Sequence, residues 1–588
     1  MKKHAPPKLS VLIDFNRFYR YDELTKVLKK LAKNYPQLVC VSSIGKSHEG
    51  RDIWVATITN QATGPAADKP AFWVDGNIHS IEVSASAACL YFIQNLIQGW
   101  GTDADITRAL DTRAFYICPR VNPDGAEWAL ADIPKYVRSS TRSYPFEDER
   151  IEGFEVGDVD GNGKILRIRI PDIHGHWKAH PQDARLLVRR DPAESGGKYY
   201  RVIPEGQFVN PANFDGTRIK VNRPSQGLDL NRNFPENWRG EGQQLGAGDY
   251  PTSEPEVKAL VDFFISNRNI TGAVCFHTFS GVLLRPYGTR PDVEMTPEDL
   301  WSYQAIGKKG ADLTGYPAIS VYEEFRYHPK EVITGTSDWM FEHLGIFSWV
   351  VEIWSPMRES GIHDYKFIDW FRDHPVQDDI KMMQWNDEKL GGKGFHHWRP
   401  FKHPQLGDVE IGGWDTFSFI SNVPLDKLEN EVAKFPQWLV WQALISPQLV
   451  LRQSSAQLIG LSADQIPLYR VRLEVQNAGY LPSQVSSTAL KNKVVADLQA
   501  EILLPKKGKV ISTAGNSGAT SGSLNRVALG QLAGWSHKHT GVSFWPDAAP
   551  TADIAVAEWV IECPKGSTIT LNAWQPRSGR VSTQLKLK

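Results

Sequence analysis

His79 and Glu82 stand three residues apart, just past an apolar run that ends near Val74 and the turn Asp75-Gly76-Asn77. That order delivers both to the start of a helix, at the carboxyl edge where ligands bind in open α/β sheets. A spacing of three puts imidazole and carboxylate on one side of the first turn, within reach of one ion. His277 follows a second apolar run, Ala273-Val274-Cys275-Phe276, where an unpaired ring would be costly to bury. Two ring nitrogens and one carboxylate make the donor set that catalytic zinc uses, with a fourth position left for water. Glu352 closes the run Phe347-Ser348-Trp349-Val350-Val351 and precedes Ile353-Trp354. Burial there disfavours the charged carboxylate and suits it to proton transfer. Taken singly each residue has a plainer reading: a surface His-x-x-Glu pair, a hydrogen-bonded core histidine, an edge-strand glutamate facing solvent.

The elements that must position these groups follow from periodicity. Leu24, Val27, Leu28, Leu31 and Tyr35 recur at helical spacing over Tyr21 to Tyr35, with Asp22 as the expected N-cap and Pro36 beyond the end. Leu38 to Ile44 and Ile53 to Ile58 read as strands around a turn at 48–51. Strand and helix then alternate: 71–74 into a helix over about 82–98, and 114–118 into Asn122-Pro123-Asp124-Gly125. A helix through Phe264 follows a capping box at Ser253-x-x-Glu256, then the strand 273–276; the helical segment 338–343 precedes the strand 347–352. Short apolar strands between helices imply an α/β sheet covered on both faces.

With 588 residues the chain exceeds a single hydrophobic core, which stops growing at roughly 250–300 residues. The alternation occupies residues 1–395, broken by an insertion at about 143–228. Residues 396–455 read as a connecting extension with one helix near 425–446. From about 456 to 588 apolar and polar residues alternate in strands, which suggests a β-sandwich.

Sixty-six Lys and Arg against 67 Asp and Glu leave a net charge of −1, so no strong field draws the chain to nucleic acid or an anionic membrane. His4-Ala5-Pro6-Pro7 stands where a signal peptide would place an apolar run, and five widely spaced cysteines suit free thiols better than a disulfide framework. A cytoplasmic location is expected.

In order along the chain, Ile44-Gly45-Lys46-Ser47-His48-Glu49-Gly50-Arg51, His79-x-x-Glu82, Asn122-Pro123-Asp124-Gly125, Asp229-Leu230-Asn231-Arg232-Asn233-Phe234, His277, Ser337-Asp338-Trp339 and Glu352 resemble the zinc carboxypeptidases of the carboxypeptidase A and B type. The resemblance implies that family's mixed sheet with helices on both faces. It also implies one catalytic Zn²⁺ on His79, Glu82 and His277, and hydrolysis of a C-terminal peptide or amide bond with Glu352 as general base. By the same match, Asn231 and Arg232 grip the substrate's terminal carboxylate, Asp229 accepts the free ring N–H of His79, and Arg138 stabilises the oxyanion, with Arg142 as its alternative. The family's mobile tyrosine corresponds to Tyr327, with Tyr322 as alternative, and Ser337 lines the side-chain pocket, giving no support for basic terminal residues. Ile81 stands where digestive members carry arginine. The implied partner is a peptide or amide with a free terminal carboxylate.

Within the insertion, Asp158-x-Asp160-x-Asn162-Gly163-Lys164 matches the first half of a calcium loop, but Arg169 holds position twelve in place of glutamate; Ca²⁺ and a plain surface turn are both open readings. His174, His176, His180, His396 and His397 lack carboxylates at ligand spacing and read as surface residues. Two other functions remain compatible with the residues: a deacylase or cell-wall peptide amidase using the same zinc site, and a catalytically silent protein that binds C-termini.

Overall fold

A computed structural model describes residues 12–146, 152–325, 334–515, 523–536 and 549–588. Its largest element is an eight-stranded mixed sheet in the order Val39–Lys46, Asp52–Ile58, Ala114–Cys118, Ala71–Gly76, Ile270–Thr278, Phe347–Ile353, Val282–Arg285, Ala318–Ser320. The four central strands run parallel, and every residue of Ala71–Gly76 and Ile270–Thr278 is buried. Strands that read as unbroken apolar runs do so because both faces are covered. On one face lie Tyr21–Asn34, Val83–Gly99 and Ala104–Thr112; on the other lie Pro255–Ser266 and Thr336–Leu344.

Helix ends depart from two expectations. The first helix begins at Tyr21 behind Arg20, whose backbone N–H is accepted by Glu23, so Asp22 sits inside the first turn, where a negative charge suits the helix dipole. Pro255 opens its helix behind Glu254, while Ser253 Oγ donates to Glu254 Oε1 and no capping box forms with Glu256.

The segment at 396–455 is no mere connection. Strand Phe395–His403 pairs with Gly407–Trp414, which pairs in turn with Arg167–Pro171 of the insertion, and with Tyr200–Pro204, Trp177–Ala179 and Leu187–Arg189 they make one six-stranded sheet. In place of one helix there are two, Leu425–Val432 and Pro436–Leu444, and Leu428, Val432, Trp438 and Leu439 enter the core beneath the main sheet. The extension therefore completes the α/β domain, because the sheet face it covers would otherwise expose large apolar side chains.

The C-terminal unit is a sandwich of two four-stranded sheets around Tyr469, Val471, Trp559 and Leu571, and its first strand, Leu449–Leu461, starts ahead of the expected boundary. Arg577, buried, donates to the carbonyls of Leu344, Gly345 and Gln484, and Asp299 accepts the backbone N–H groups of Ser487 and Thr488. Charged groups satisfied this fully tie the sandwich to the α/β domain. No helix among the described residues is long and apolar enough to cross a membrane. The five cysteines are free, and only Cys40 is exposed.

Candidate metal centre and active site

The strand Ala71–Gly76 ends in a turn where Asn77 takes φ 61°, and its side-chain amide donates to the His79 carbonyl at 2.7 Å. Asparagine tolerates this left-handed conformation because its short amide bonds locally. The turn brings His79 and Glu82 to the N-terminus of Val83–Gly99. His277 arrives on the adjacent parallel strand, in register with Glu352 on the next. Three strand ends thus meet at one carboxyl edge.

His79 Nδ1 lies 2.9 Å from Glu82 Oε1, and His277 Nδ1 lies 3.1 Å from both His79 Nδ1 and Glu82 Oε2. All three residues are buried, and Glu82 Oε2 forms no hydrogen bond. Two imidazole nitrogens turned toward each other beside a carboxylate present more lone pairs than the one proton between them can satisfy. A dication with ligand distances of about 2.0–2.1 Å satisfies them together, so the set fits zinc.

Around this centre the charges are ordered. Burial opposes ionisation of Glu82, but the His79 and His277 rings outweigh it and hold the carboxyl far below the ordinary range. Asp229 behaves alike, burial being overcome by Arg138, Arg232 and His79. Its Oδ1 lies 3.1 Å from His79 Nε2, and its Oδ2 accepts Arg138 Nε at 3.0 Å. Glu352 moves the other way: burial raises its carboxyl, His277 and Arg138 pull it back, and Glu82 adds to the rise.

Arg138 is half exposed and lines the cleft, its backbone carbonyl held by Ser80 N–H at 3.0 Å. Arg142 instead pairs with Glu254 and Asp249, so of the two arginines only Arg138 reaches the site. Asn231 Oδ1 accepts both the backbone N–H and the hydroxyl of Thr336, at 2.8 and 2.9 Å, which leaves the amide's NH₂ end for a ligand. Beside it, among the described residues, Arg232 makes one hydrogen bond, to the Asn231 carbonyl, with Asp229 4.0 Å away. These groups line one pocket of about 420 Å³ with Glu352 and Ser337. Its walls include Leu284, Val321, Phe325 and Val350, and Asp338, whose carboxyl accepts Gly288 N–H and is pushed up to about 7 by burial. Tyr327 lies outside the described residues, and Tyr322 does not line this pocket.

Sequence reasoning missed Asn422. Fully buried, it donates to the Ile81 carbonyl at 2.7 Å and accepts Ser84 N–H at 2.9 Å, clamping the turn that carries His79 and Glu82. Phe279 and Phe371 in the pocket wall were missed as well. Nothing local marks any of them, since their roles come from contacts far along the chain.

A second carboxylate group joins Asp158 and Asp160 to Glu205. Here the acceptors already have partners: Asp158 takes the N–H groups of Gly161, Asn162 and Gly163, Glu205 those of Val159 and Leu166, and Arg399 pairs with Asp160. Asn162 accepts Lys164 N–H, and the Lys164 ammonium pairs with Asp415. The protein's own donors hold this turn together. Arg169 lies between Tyr200 and Trp398 and pairs with Glu410. Of the expected surface histidines, His174, His176 and His397 are exposed, whereas His396 meets Asp415 at 3.1 Å and His180 is buried, its Nδ1 accepting Gln182 N–H.

A family model described as zinc carboxypeptidase matches residues 24–162 and 205–369, more than half of the chain. The chain belongs to that family. A second model, described as a domain of unknown function, matches residues 457–586 in the sandwich. Carboxypeptidase A2 of Mus musculus is 24% identical over 365 residues, which cover 60% of this chain and 65% of that protein. Carboxypeptidase B of Astacus astacus is 32% identical over 133 residues, covering 22% of this chain and 42% of that one. The chain spans less than two thirds of the length of the curated relatives it matches, 65%, 63% and 48% for three of them. Among solved structures, carboxypeptidase A from Helicoverpa armigera is similar at 20% identity and a TM-score of 0.38, covering 65% of this chain and 74% of that one.

Proposed function

We propose that this protein is a zinc-dependent carboxypeptidase that releases the terminal residue of a peptide or related amide. The observation that carries the reading is the convergence of His79, Glu82 and His277 opposite Glu352, with Asn231 and Arg232 in the same pocket. His79, Glu82 and His277 would hold zinc, which would supply Lewis-acid activation of the scissile carbonyl and of an attacking water. Glu352, its carboxyl raised by burial, takes the proton of the attacking water and returns it to the leaving amine. Arg138 donates toward the oxygen that gains charge. Arg232 and the Asn231 amide hold the terminal carboxylate, which fixes the last peptide bond at the metal. Asp229 holds His79 in the tautomer that leaves Nδ1 free to ligate. The apolar walls and Ser337 suit an uncharged terminal side chain.

Digestion of a peptide library differing only in the last residue, read by mass spectrometry, tests the reading. Single-residue release that requires a free terminal carboxylate is expected. Arg232→Ala should lower kcat/KM on such peptides by about 10- to 100-fold, the range for losing a hydrogen bond to a charged group. It should leave the much slower cleavage of C-terminal amides nearly unchanged. Equal losses on both substrates would separate Arg232 from carboxylate binding. Asp229→Asn should weaken zinc binding by about 10- to 100-fold in a competition titration with a chelating dye; unaltered affinity would show that His79 needs no such partner.

A further inference from the structure

Beside the catalytic pocket lies a second cavity of about 170 Å³. The strand Val282–Arg285 gives Leu284 to the first and Val282 to the second, two residues or about 7 Å apart along the strand. The turn after His277 divides them: Thr278 and Phe279 face the catalytic pocket, and Ser280 faces the neighbour.

The polar lining of this second cavity is cationic. Arg358, Lys366 and His363 contribute, against one carboxylate, the exposed Glu324. Two of its donors are buried and unmet: Ser280, 1% exposed, has no partner for Oγ, and Arg358 has none for Nε. Among the described residues no carboxylate forms an ion pair with Arg358, a half-buried side chain whose Nε is itself buried. Gly281, at φ 67°, permits the arrangement, since a Cβ there would meet Arg358 Cδ at 2.9 Å. A guanidinium and a hydroxyl left without acceptors in a cation-lined hollow match an oxyanion.

We propose that this cavity is an anion subsite that receives a carboxylate or phosphate borne by a substrate whose reacting end fills the catalytic pocket. It rests on the carboxypeptidase reading, under which the carrier is a peptide with an acidic side chain near its C-terminus. The spacing of the two cavities is within the reach of one side chain.

The test uses the zinc-loaded full chain and a set of neutral peptides in which one glutamine is replaced by glutamate at each of the last four positions. At one position glutamate should raise kcat/KM by roughly tenfold or more, the scale of a charge-assisted hydrogen bond. Arg358→Gln should erase that preference, and Lys366→Gln, a change at an exposed residue that leaves folding intact, should reduce it while turnover of the all-glutamine peptide stays the same. Inorganic phosphate should compete with the glutamate peptide and spare the neutral one. Phosphate binding that Arg358→Gln abolishes, without any glutamate preference, would assign the cavity to a free anion and overturn the substrate subsite. Indifference to glutamate together with no phosphate binding would overturn the anion site altogether. Failure to cleave any peptide would count against the carboxypeptidase reading instead, and phosphate binding, measured without turnover, would still decide whether the cavity takes anions.

Discussion

Glu352→Gln is expected to fold, to bind one zinc per chain, and to lose roughly 10²-fold or more in kcat while KM changes little, because a positioned acid–base group contributes about that much to the chemical step. The amide keeps the size of the side chain but can neither accept the proton of water nor deliver one to the leaving amine. Its environment predicts that the variant is at least as stable as the parent. Burial already disfavours the charged carboxylate, so a neutral isostere at the end of Phe347–Ile353 removes a cost. Thermal unfolding and metal analysis should therefore resemble those of the parent while turnover collapses. Near-normal turnover in a zinc-loaded variant would remove Glu352 from the mechanism.

His277→Ala should have the second large effect. Zinc sites of four ligands are worth about 10–16 kcal/mol, so one ligand carries on the order of 3 kcal/mol, about a hundredfold or more in affinity. The variant should be purified with far less than one zinc per chain, and its activity should return only in excess metal, if at all. Chelation of the parent should abolish activity and added zinc should restore it. Stoichiometric zinc retained by His277→Ala would overturn the ligand set. The loss should be specific to metal, because His277 sits at the end of Ile270–Thr278, whose other residues keep their packing. Circular dichroism of the variant should match the parent.

The convergence of His79, Glu82 and His277 was legible because these residues stand where short-range rules place them. His79 and Glu82 straddle a strand-to-helix turn, His277 and Glu352 end apolar strands, and parallel strands that share a sheet must bring such ends to one edge. The resemblance put Arg138 first and left Arg142 as its alternative. The Glu254 and Asp249 carboxylates, more than a hundred residues on, occupy Arg142 and leave Arg138 at the site.

Elsewhere local pattern misled for a physical reason. Phe395–His403 and Gly407–Trp414 form a hairpin whose second strand pairs with Arg167–Pro171, more than two hundred residues earlier, and a sheet edge gives no sign in sequence of which distant edge will cover it. The helices Leu425–Val432 and Pro436–Leu444 were legible as helical, but not as the cover of the main sheet, since an apolar face records that it is buried and not against what.

By itself, then, the sequence determined the α/β alternation, the separate all-β end and the chemical type of the candidate metal donors, since each depends on residue type and on periods of two to four positions. Only the tertiary structure decided that Asn422 clamps the ligand turn, that the extension and insertion share one sheet, and that Ser280 and Arg358 face a common hollow. Such contacts join residues far apart in the chain, and their energy exists only after the sheet has closed the loops between them.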